Sequence, residues 1–126
     1  MSDKIVLCVE DNFQNRVLVN RILSSRGFTV LEAEDGPMGW AMIQEHKPPL
    51  VLLDIDLPGM DGIEIVGLVK AEETLRHIPV IALTASAMQG DRERFLAAGC
   101  DDYLSKPIQV AELLGIVAKY YPGDGN

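Results

Sequence analysis

Acidic side chains follow two apolar segments of the sequence. Glu10 and Asp11 directly follow the apolar run at residues 5–9, and Asp54 directly follows the run at residues 50–53. If these three carboxylates meet at one place, they repel one another unless a cation lies between them. A set of oxygen ligands without histidine or cysteine favours a hard ion, and Mg²⁺ fits best. The residue types therefore predict a magnesium site.

Two further residues extend the chemistry that this site would perform. Thr84 ends the apolar run at residues 80–83, and Lys106 lies just after a fifth candidate strand. One ammonium group does not balance three carboxylates, whereas an ammonium group and a divalent cation together do. A carboxylate beside such an ion is equipped to attack phosphorus, because the ion and Lys106 stabilise the oxygens of a transferring phosphoryl group. The product would be an aspartyl phosphate.

Short apolar runs alternate with longer amphipathic segments along the whole chain. The strand candidates are residues 5–9, 28–31, 50–53, 80–83 and 102–104, and the helix candidates are residues 13–26, 36–46, 62–73, 88–98 and 110–121. Strict alternation predicts an α/β domain with a parallel sheet. Five strands favour the flavodoxin-like, doubly wound order 2-1-3-4-5, in which ligands bind at the carboxyl ends of strands one and three. Glu10, Asp11 and Asp54 fall at those ends.

The composition excludes several classes of protein. The chain has 126 residues, with 11 Lys+Arg against 19 Asp+Glu and a net charge of −8. This acidity argues against binding of nucleic acid or of an anionic membrane surface. No apolar run approaches the roughly 18 residues of a membrane span, and the beginning of the chain does not resemble a signal peptide. We expect one cytoplasmic domain over residues 1–122, followed by a short flexible tail at residues 123–126.

Four sequence motifs together resemble one known family. They are Val9-Glu10-Asp11-Asn12, Leu53-Asp54-Ile55-Asp56-Leu57-Pro58-Gly59-Met60-Asp61-Gly62, Leu83-Thr84-Ala85 and Gly99-Cys100-Asp101-Asp102-Tyr103-Leu104-Ser105-Lys106-Pro107. In this order, between about residues 4 and 121, they resemble the response-regulator receiver domain of two-component and phosphorelay signalling. The first motif and the following Asn15-Arg16 are similar to receivers of hybrid kinases and to free-standing regulators of the chemotaxis or cell-cycle type.

The resemblance implies a role for each residue of the acidic cluster. Asp54 is the implied phosphoacceptor and also a ligand of Mg²⁺. Glu10 and Asp11 match the acidic pair at the metal, and the backbone carbonyl of Asp56 matches a further ligand. The side chains of Asp56 and Ser86 match positions that tune the lifetime of the phosphoryl group. An acidic Asp56 either repels the phosphoryl oxygens or orients the attacking water, and both alternatives stay open.

The resemblance also implies how the phosphoryl group is held and sensed. Thr84, the backbone of Ala85 and Lys106 match the groups that bind the phosphoryl oxygens. The Lys106–Pro107 bond matches a cis peptide of the family, and X-Pro bonds are where cis peptides occur. Thr84 and Tyr103 match the switch pair, although Tyr103 also suits the alternative of a half-buried aromatic residue in a strand.

The implied partners are proteins. The phosphoryl donor would be a histidine kinase or a histidine phosphotransfer protein, docked on the first helix near Gln14, Asn15, Leu18 and Ile22. A downstream protein would bind the face formed by the fourth helix, fifth strand and fifth helix, and the chain itself would be a monomer or a weak dimer. Asp101 and Asp102 are expected to form a solvated turn before the fifth strand.

Three alternatives to a stand-alone response regulator follow from the same residues. We expect a stand-alone response regulator, and a receiver excised from a hybrid histidine kinase is the first alternative. A Mg²⁺-dependent aspartate-nucleophile phosphatase would use Asp54 and Asp56, but these follow strand three, and no cap insertion accompanies them. A flavin carrier is disfavoured because Glu10 and Asp11 would repel the flavin phosphate. We therefore expect a phosphoacceptor that assists its own phosphorylation and dephosphorylation, not a turnover enzyme.

Overall fold

A computed structural model describes residues 4–85 and 89–121 of the chain. The strands are β1 (Lys4–Val9), β2 (Phe28–Ala33), β3 (Val51–Asp54), β4 (Val80–Thr84) and β5 (Asp102–Ser105). They pair in parallel, in the order β2-β1-β3-β4-β5. The predicted fold class and strand order are thus confirmed. The expectations for Ser86 and for the tail at residues 123–126 lie outside the described residues.

Five helices connect these strands. They are α1 (Phe13–Ser24), α2 (Gly36–His46), α3 (Gly62–Ala71), α4 (Gln89–Ala98) and α5 (Val110–Tyr120). Three of them end before their predicted limits, α5 by a single residue at Tyr120. The last helical residue of α1 is Ser24 because the chain turns through Gly27, which has a φ of 89°. The last helical residue of α3 is Ala71 because Glu72 is already extended. Across the described ranges, every helix is too short or too polar to cross a membrane.

The core consists of two apolar layers, one on each face of the sheet. Side chains of β1 alternate between them: Leu7 and Val9 point into one layer, whereas Val6 and Cys8 point into the other. Helices α2, α3 and α4 contribute to the first layer, and α1 and α5 to the second. Strands covered on both faces need apolar residues at every position, which explains the uninterrupted apolar runs in the sequence.

Close packing fixes the loop that follows β3. A Cβ atom on Gly62 would lie 2.6 Å from the carbonyl oxygen of Asp54, so only glycine lets α3 begin this close to the strand end. The Gly62 amide donates a hydrogen bond to the Ile55 carbonyl at 3.0 Å. Asp61 caps α3 by accepting a hydrogen bond from the Glu64 amide at 2.9 Å. The end of β3 is therefore held in place by the start of the next helix.

Candidate functional site

Three carboxylates meet at the carboxyl end of the sheet. Glu10 is the first residue after β1, and its amide donates to the Ala33 carbonyl at 3.0 Å, which continues the pairing with β2. Asp54 is the last residue of β3. Carboxylate oxygens of Glu10, Asp11 and Asp54 all lie within 4.8 Å of one another. Glu10 and Asp54 are buried, whereas Asp11 is exposed at the open side of the cluster.

Lys106 is the cation that the chain places against this cluster. Its Nζ atom lies 2.8 Å from Glu10 Oε1 and donates to Asp54 Oδ2 at 3.1 Å. The Lys106 amide donates to the Thr84 carbonyl at 2.8 Å, and the following bond to Pro107 is cis. The lysine is thus fixed through its backbone to the end of β4, and its ammonium group reaches two of the three carboxylates.

Burial and the neighbouring charges shift the pKa values of Asp54, Glu10 and Lys106. Burial and the neighbouring Glu10 carboxylate raise the pKa of Asp54 from its usual 3.8 to about 7. Burial also disfavours the charge of Glu10, but interactions with Asp54 and Lys106 outweigh it, and the pKa of Glu10 is lowered. Burial likewise disfavours the charge of Lys106, but the Glu10 and Asp54 carboxylates outweigh it and raise the pKa of Lys106. One ammonium group is therefore too little positive charge for this cluster.

The donor set fits a hard divalent cation. Glu10 Oε1 is buried, and beyond its ion pair with Lys106 Nζ at 2.8 Å it has no hydrogen-bond partner within the described residues. The cluster offers carboxylate oxygens from two buried residues and one exposed residue. Such ligands suit Mg²⁺, which is usually held by one or two carboxylates and keeps several water molecules. The residues present thus have the chemistry of a metal site.

The remaining residues singled out by sequence lie in the loop after β3, at the end of β4 and on β5. The Asp56 amide donates to Asp54 Oδ1 at 2.9 Å, while the Asp56 side chain is exposed. Thr84 is buried at the end of β4, and Ala85 after it is exposed. Tyr103 is half-buried on β5, where it is paired with Ala82 of β4.

Comparison with known proteins assigns the chain to a family. A family model described as the response regulator receiver domain matches residues 6–118. The chain belongs to the response-regulator receiver family. The polar-differentiation response regulator DivK of Brucella anthropi is 41% identical over 121 residues, which cover 96% of this chain and 98% of that protein.

Solved structures of receivers have the same fold. The receiver domain of a sensor histidine kinase from Pseudomonas aeruginosa, crystallised with a magnesium ion coordinated in its active-site cleft, is 38% identical. It has a TM-score of 0.87 and covers 95% of this chain and 98% of its own. The chemotaxis response regulator CheY4 of Vibrio cholerae is 26% identical, with a TM-score of 0.88, over 94% of this chain and 99% of that one. The protein is therefore a receiver of two-component signalling, a class that acts as a phosphoacceptor switch.

One residue of the receiver site was not predicted from sequence. Arg16 on α1 is buried, and its guanidinium group donates to the carbonyl oxygen of Glu10 at 2.8 Å. A signal for it exists in the sequence, because Arg16 lies three residues before Val19 and six before Ile22, on the helical stripe that faces the core. A charge on that stripe indicates a buried polar contact.

Two expectations about the receiver surface were wrong, the second of them only for Asp102. Ile22 was expected near the docking face of α1, but it is only 8% exposed and packs in the core, because it shares the inward stripe of the helix. Asp101 and Asp102 were expected in a solvated turn before β5. Asp101 is indeed exposed at the bend before β5, although its carboxylate accepts a hydrogen bond from the Val80 amide at 2.8 Å. Asp102 is already the first residue of β5 and half-buried, and its carboxylate accepts a hydrogen bond from the Tyr120 hydroxyl at 2.9 Å. Both acids close the sheet edge where β4 and β5 begin.

Proposed function

We propose that Asp54 is the phosphoacceptor of this receiver and takes its phosphoryl group from a phosphohistidine on a partner protein. The observation that carries the proposal is the convergence of two further carboxylates, those of Glu10 and Asp11, and one lysine on the buried strand-end Asp54. In this reaction a carboxylate oxygen of Asp54 forms a bond to phosphorus while the bond from phosphorus to the donor's histidine nitrogen breaks. The released imidazole takes up a proton from solvent.

The carboxylates of Glu10, Asp11 and Asp54 and the backbone carbonyl of Asp56 would hold Mg²⁺. When bound, the ion supplies positive charge that offsets the negative charge of the phosphoryl oxygens. The presence of Mg²⁺ in the active-site cleft of the Pseudomonas receiver supports this assignment. The metal would also provide the positive charge that Lys106 alone does not supply to the cluster.

The chain's own groups would prepare Asp54 for attack. The Asp56 amide holds one carboxylate oxygen and Lys106 holds the other, so the carboxylate plane is fixed from both sides. Lys106, the Thr84 hydroxyl and the Ala85 amide would then bind the phosphoryl oxygens. Such preorganised donors are effective because they need no reorientation while the bond forms.

Phosphorylation would be sensed through Thr84 and Tyr103. A phosphoryl group adds strong acceptor oxygens and a charge of about −1.5 to −2 beside Asp54. We infer that Thr84 moves towards it and that Tyr103 turns inward. Tyr103 lines a groove of about 580 Å³ together with Arg92, Glu112, Ile116 and Lys119. This groove, between α4, β5 and α5, would be the surface that a downstream protein reads.

The histidine donor would dock on α1. Phe13, at the start of this helix, is 66% exposed although it is a large apolar residue. Phe13, Gln14 and Leu18 line one shallow depression on the outer side of the helix. Because α1 begins three residues after Glu10, a protein bound there would bring its histidine close to the acidic cluster. A histidine kinase or a histidine phosphotransfer protein would fill this role.

The lifetime of the aspartyl phosphate would depend on Asp56 and Ser86. The exposed Asp56 side chain either repels the incoming phosphoryl oxygens or orients a water molecule for hydrolysis. Asp56→Asn distinguishes these roles. Loss of repulsion speeds phosphorylation, whereas loss of water orientation slows dephosphorylation and leaves phosphorylation unchanged.

The phosphoacceptor assignment is tested with a small phosphodonor. The protein is incubated with acetyl phosphate and Mg²⁺, and the adduct of one phosphoryl group is followed by intact-protein mass spectrometry. We expect the adduct in the wild type, its loss when EDTA is added and its loss in Asp54→Asn. Asp61→Asn is the matched control, since Asn also caps a helix and Asp61 lies outside the cluster. An adduct that persists in Asp54→Asn would refute the assignment.

A further inference from the structure

A buried arginine, Arg16, lies next to the backbone of the acidic cluster. Arg16 is 8% exposed and belongs to the inward face of α1, together with Val19 and Leu23. A guanidinium group stays charged at all ordinary pH values, so its burial is costly unless the charge is paired and its donors are satisfied. Its contacts therefore show what the fold gains from this residue.

One side of the guanidinium group contacts the loop that carries two acidic residues. Arg16 Nη1 donates to the Glu10 carbonyl oxygen at 2.8 Å and to the Asp11 carbonyl oxygen at 3.4 Å. These are the backbone carbonyls of the two residues that bring the acidic pair to the site. The Glu10 side chain is held as well, because its Oε2 atom accepts a hydrogen bond from the Asn12 amide at 3.1 Å.

The other side of the guanidinium group contacts the edge strand β2. Arg16 Nε donates to Glu32 Oε1 at 3.3 Å, and Nη2 lies 3.9 Å from Glu34 Oε2. Glu32 is itself held by Asn20, whose side-chain amide donates to Oε2 at 2.5 Å. The arginine thus connects the loop at residues 10–11 to β2, the edge strand that pairs with β1.

We infer that Arg16 is a positioning residue for the metal ligands. By holding the carbonyls of Glu10 and Asp11, it sets the direction in which their carboxylates leave the backbone, so both point towards Asp54 before a cation arrives. This inference rests on the proposed metal site at these residues. The competing interpretation is structural: Arg16 only neutralises Glu32 and Glu34, and the loop would keep its shape without it.

Three variants, compared with one control, separate the positioning role of Arg16 from the structural one. Arg16→Met removes the carbonyl contacts and also leaves Glu32 without its cation, so it loses thermal stability on either interpretation. Arg16→Met combined with Glu32→Gln removes the nearer of the two carboxylates and restores much of that stability, because the more distant Glu34 is exposed to solvent. Arg16→Lys is a third variant that keeps the charge but lacks the planar fork needed to hold both the loop and β2. Arg26→Met, an exposed arginine in the turn after the same helix, is the matched control.

The readout is the affinity for Mg²⁺ alone, measured from amide chemical shifts of the labelled protein during a titration with MgCl₂. Residues that orient metal ligands typically change metal affinity by about 10- to 100-fold when they are removed. We expect at least a tenfold weaker affinity in Arg16→Met and in the double variant, an intermediate loss in Arg16→Lys and no change in Arg26→Met.

The outcomes distinguish the inference from the proposal on which it rests. Weak Mg²⁺ binding by a double variant that has regained its stability supports positioning. An affinity within twofold of the wild type in that variant overturns the inference and leaves Arg16 a structural residue. If the wild type itself shows no Mg²⁺-dependent shifts near Glu10, Asp11 and Asp54, the proposed metal site is wrong and the inference fails with it.

Discussion

Two lysine–aspartate ion pairs lie at opposite ends of the strands, one at the carboxyl edge of the sheet and one at the amino edge. Their nitrogen–oxygen distances are nearly the same. At the carboxyl edge, Lys106 Nζ lies 3.1 Å from Asp54 Oδ2. At the amino edge, Lys70 Nζ lies 3.2 Å from Asp101 Oδ2. Both pairs join elements that are far apart in the chain. The geometry of the ion pair alone therefore does not distinguish a functional contact from a structural one.

The surroundings of the two lysines make the distinction. Lys70 also donates to the carbonyl oxygens of Arg76 and Ile78, at 3.2 and 2.8 Å, so its neighbours are one carboxylate and neutral acceptors. Lys106 instead faces two buried carboxylates, with a third beside them. The first cluster is balanced, while the second holds more negative charge than its lysine offsets. Buried groups with an excess of one charge lower stability, and proteins keep such groups mainly where function needs them.

The largest expected difference between the two lysines is in phosphorylation. Lys106→Met removes a donor that would contact the phosphoryl oxygens, and the loss of one such donor typically costs about 100- to 1000-fold in rate. Lys70→Met, on the other edge, should leave the rate within about twofold of the wild type. Initial rates with acetyl phosphate and saturating Mg²⁺ provide the comparison. Comparable losses in the two variants would contradict a functional distinction between the clusters.

The second difference is in how stability depends on pH. Asp54 has a pKa raised from 3.8 to about 7, so between these values the folded state holds a proton that the unfolded chain has released. Stability of the metal-free protein should therefore fall as the pH rises through this window. The lowered pKa of Glu10 acts in the opposite direction, but only below its usual value of 4.5.

Asp54→Asn should flatten this dependence and gain about 4 kcal/mol at pH 8, since the pKa of Asp54 is raised from 3.8 to about 7 and each pKa unit corresponds to about 1.4 kcal/mol. Urea unfolding in EDTA at several pH values measures the effect. Asp101→Asn, which alters the balanced cluster, should keep the slope of the wild type. A wild-type stability that is constant between pH 4 and 7, where the shift in Asp54 acts, would show that the folded protein does not retain this proton.

Most of the fold follows from local patterns in the sequence. Strands β1, β3 and β4 are uninterrupted apolar runs because both of their faces are covered, and the Asn and Asp caps of α1, α2 and α3 fix where those helices begin. The strand ends then place Glu10, Asp11 and Asp54 at one edge. Helix ends were less predictable: Ser24 and Ala71 end α1 and α3 through turns that apolar periodicity does not encode.

The contacts that the sequence did not reveal, in the site and elsewhere, join residues that are distant in the chain. Arg16 binds Glu32 across 16 positions, and Asp101 binds Val80 across 21. The apolar stripe of α1 indicates that Arg16 is buried, but neither spacing nor periodicity marks Glu32 as its partner, and Asp101 by itself resembles an ordinary surface charge. Motifs locate residues at strand ends, where the fold itself brings them together, but the residues that orient them become visible only from the packed structure.

The smallest expected effect is on stability and concerns the balanced cluster of Lys70 and Asp101. There the hydrogen bond from the Val80 amide to Asp101 should contribute more than the ion pair. Asp101→Ala removes the acceptor of the Val80 amide at the start of β4, and an amide left without a partner costs about 1–3 kcal/mol. The Asp101 side chain is 36% exposed, so its ion pair with Lys70 should contribute little.

Asp101→Asn keeps an oxygen that can accept from Val80 and loses only the charge. We therefore expect a loss of about 2 kcal/mol in Asp101→Ala and less than about 1 kcal/mol in Asp101→Asn, both measured by urea unfolding. Equal losses would show that the ion pair carries the stabilisation. The excess negative charge lies in the acidic cluster at the carboxyl edge of the sheet, so neither Asp101 variant should change the affinity for Mg²⁺. A change in that affinity would mean that the two edges are coupled.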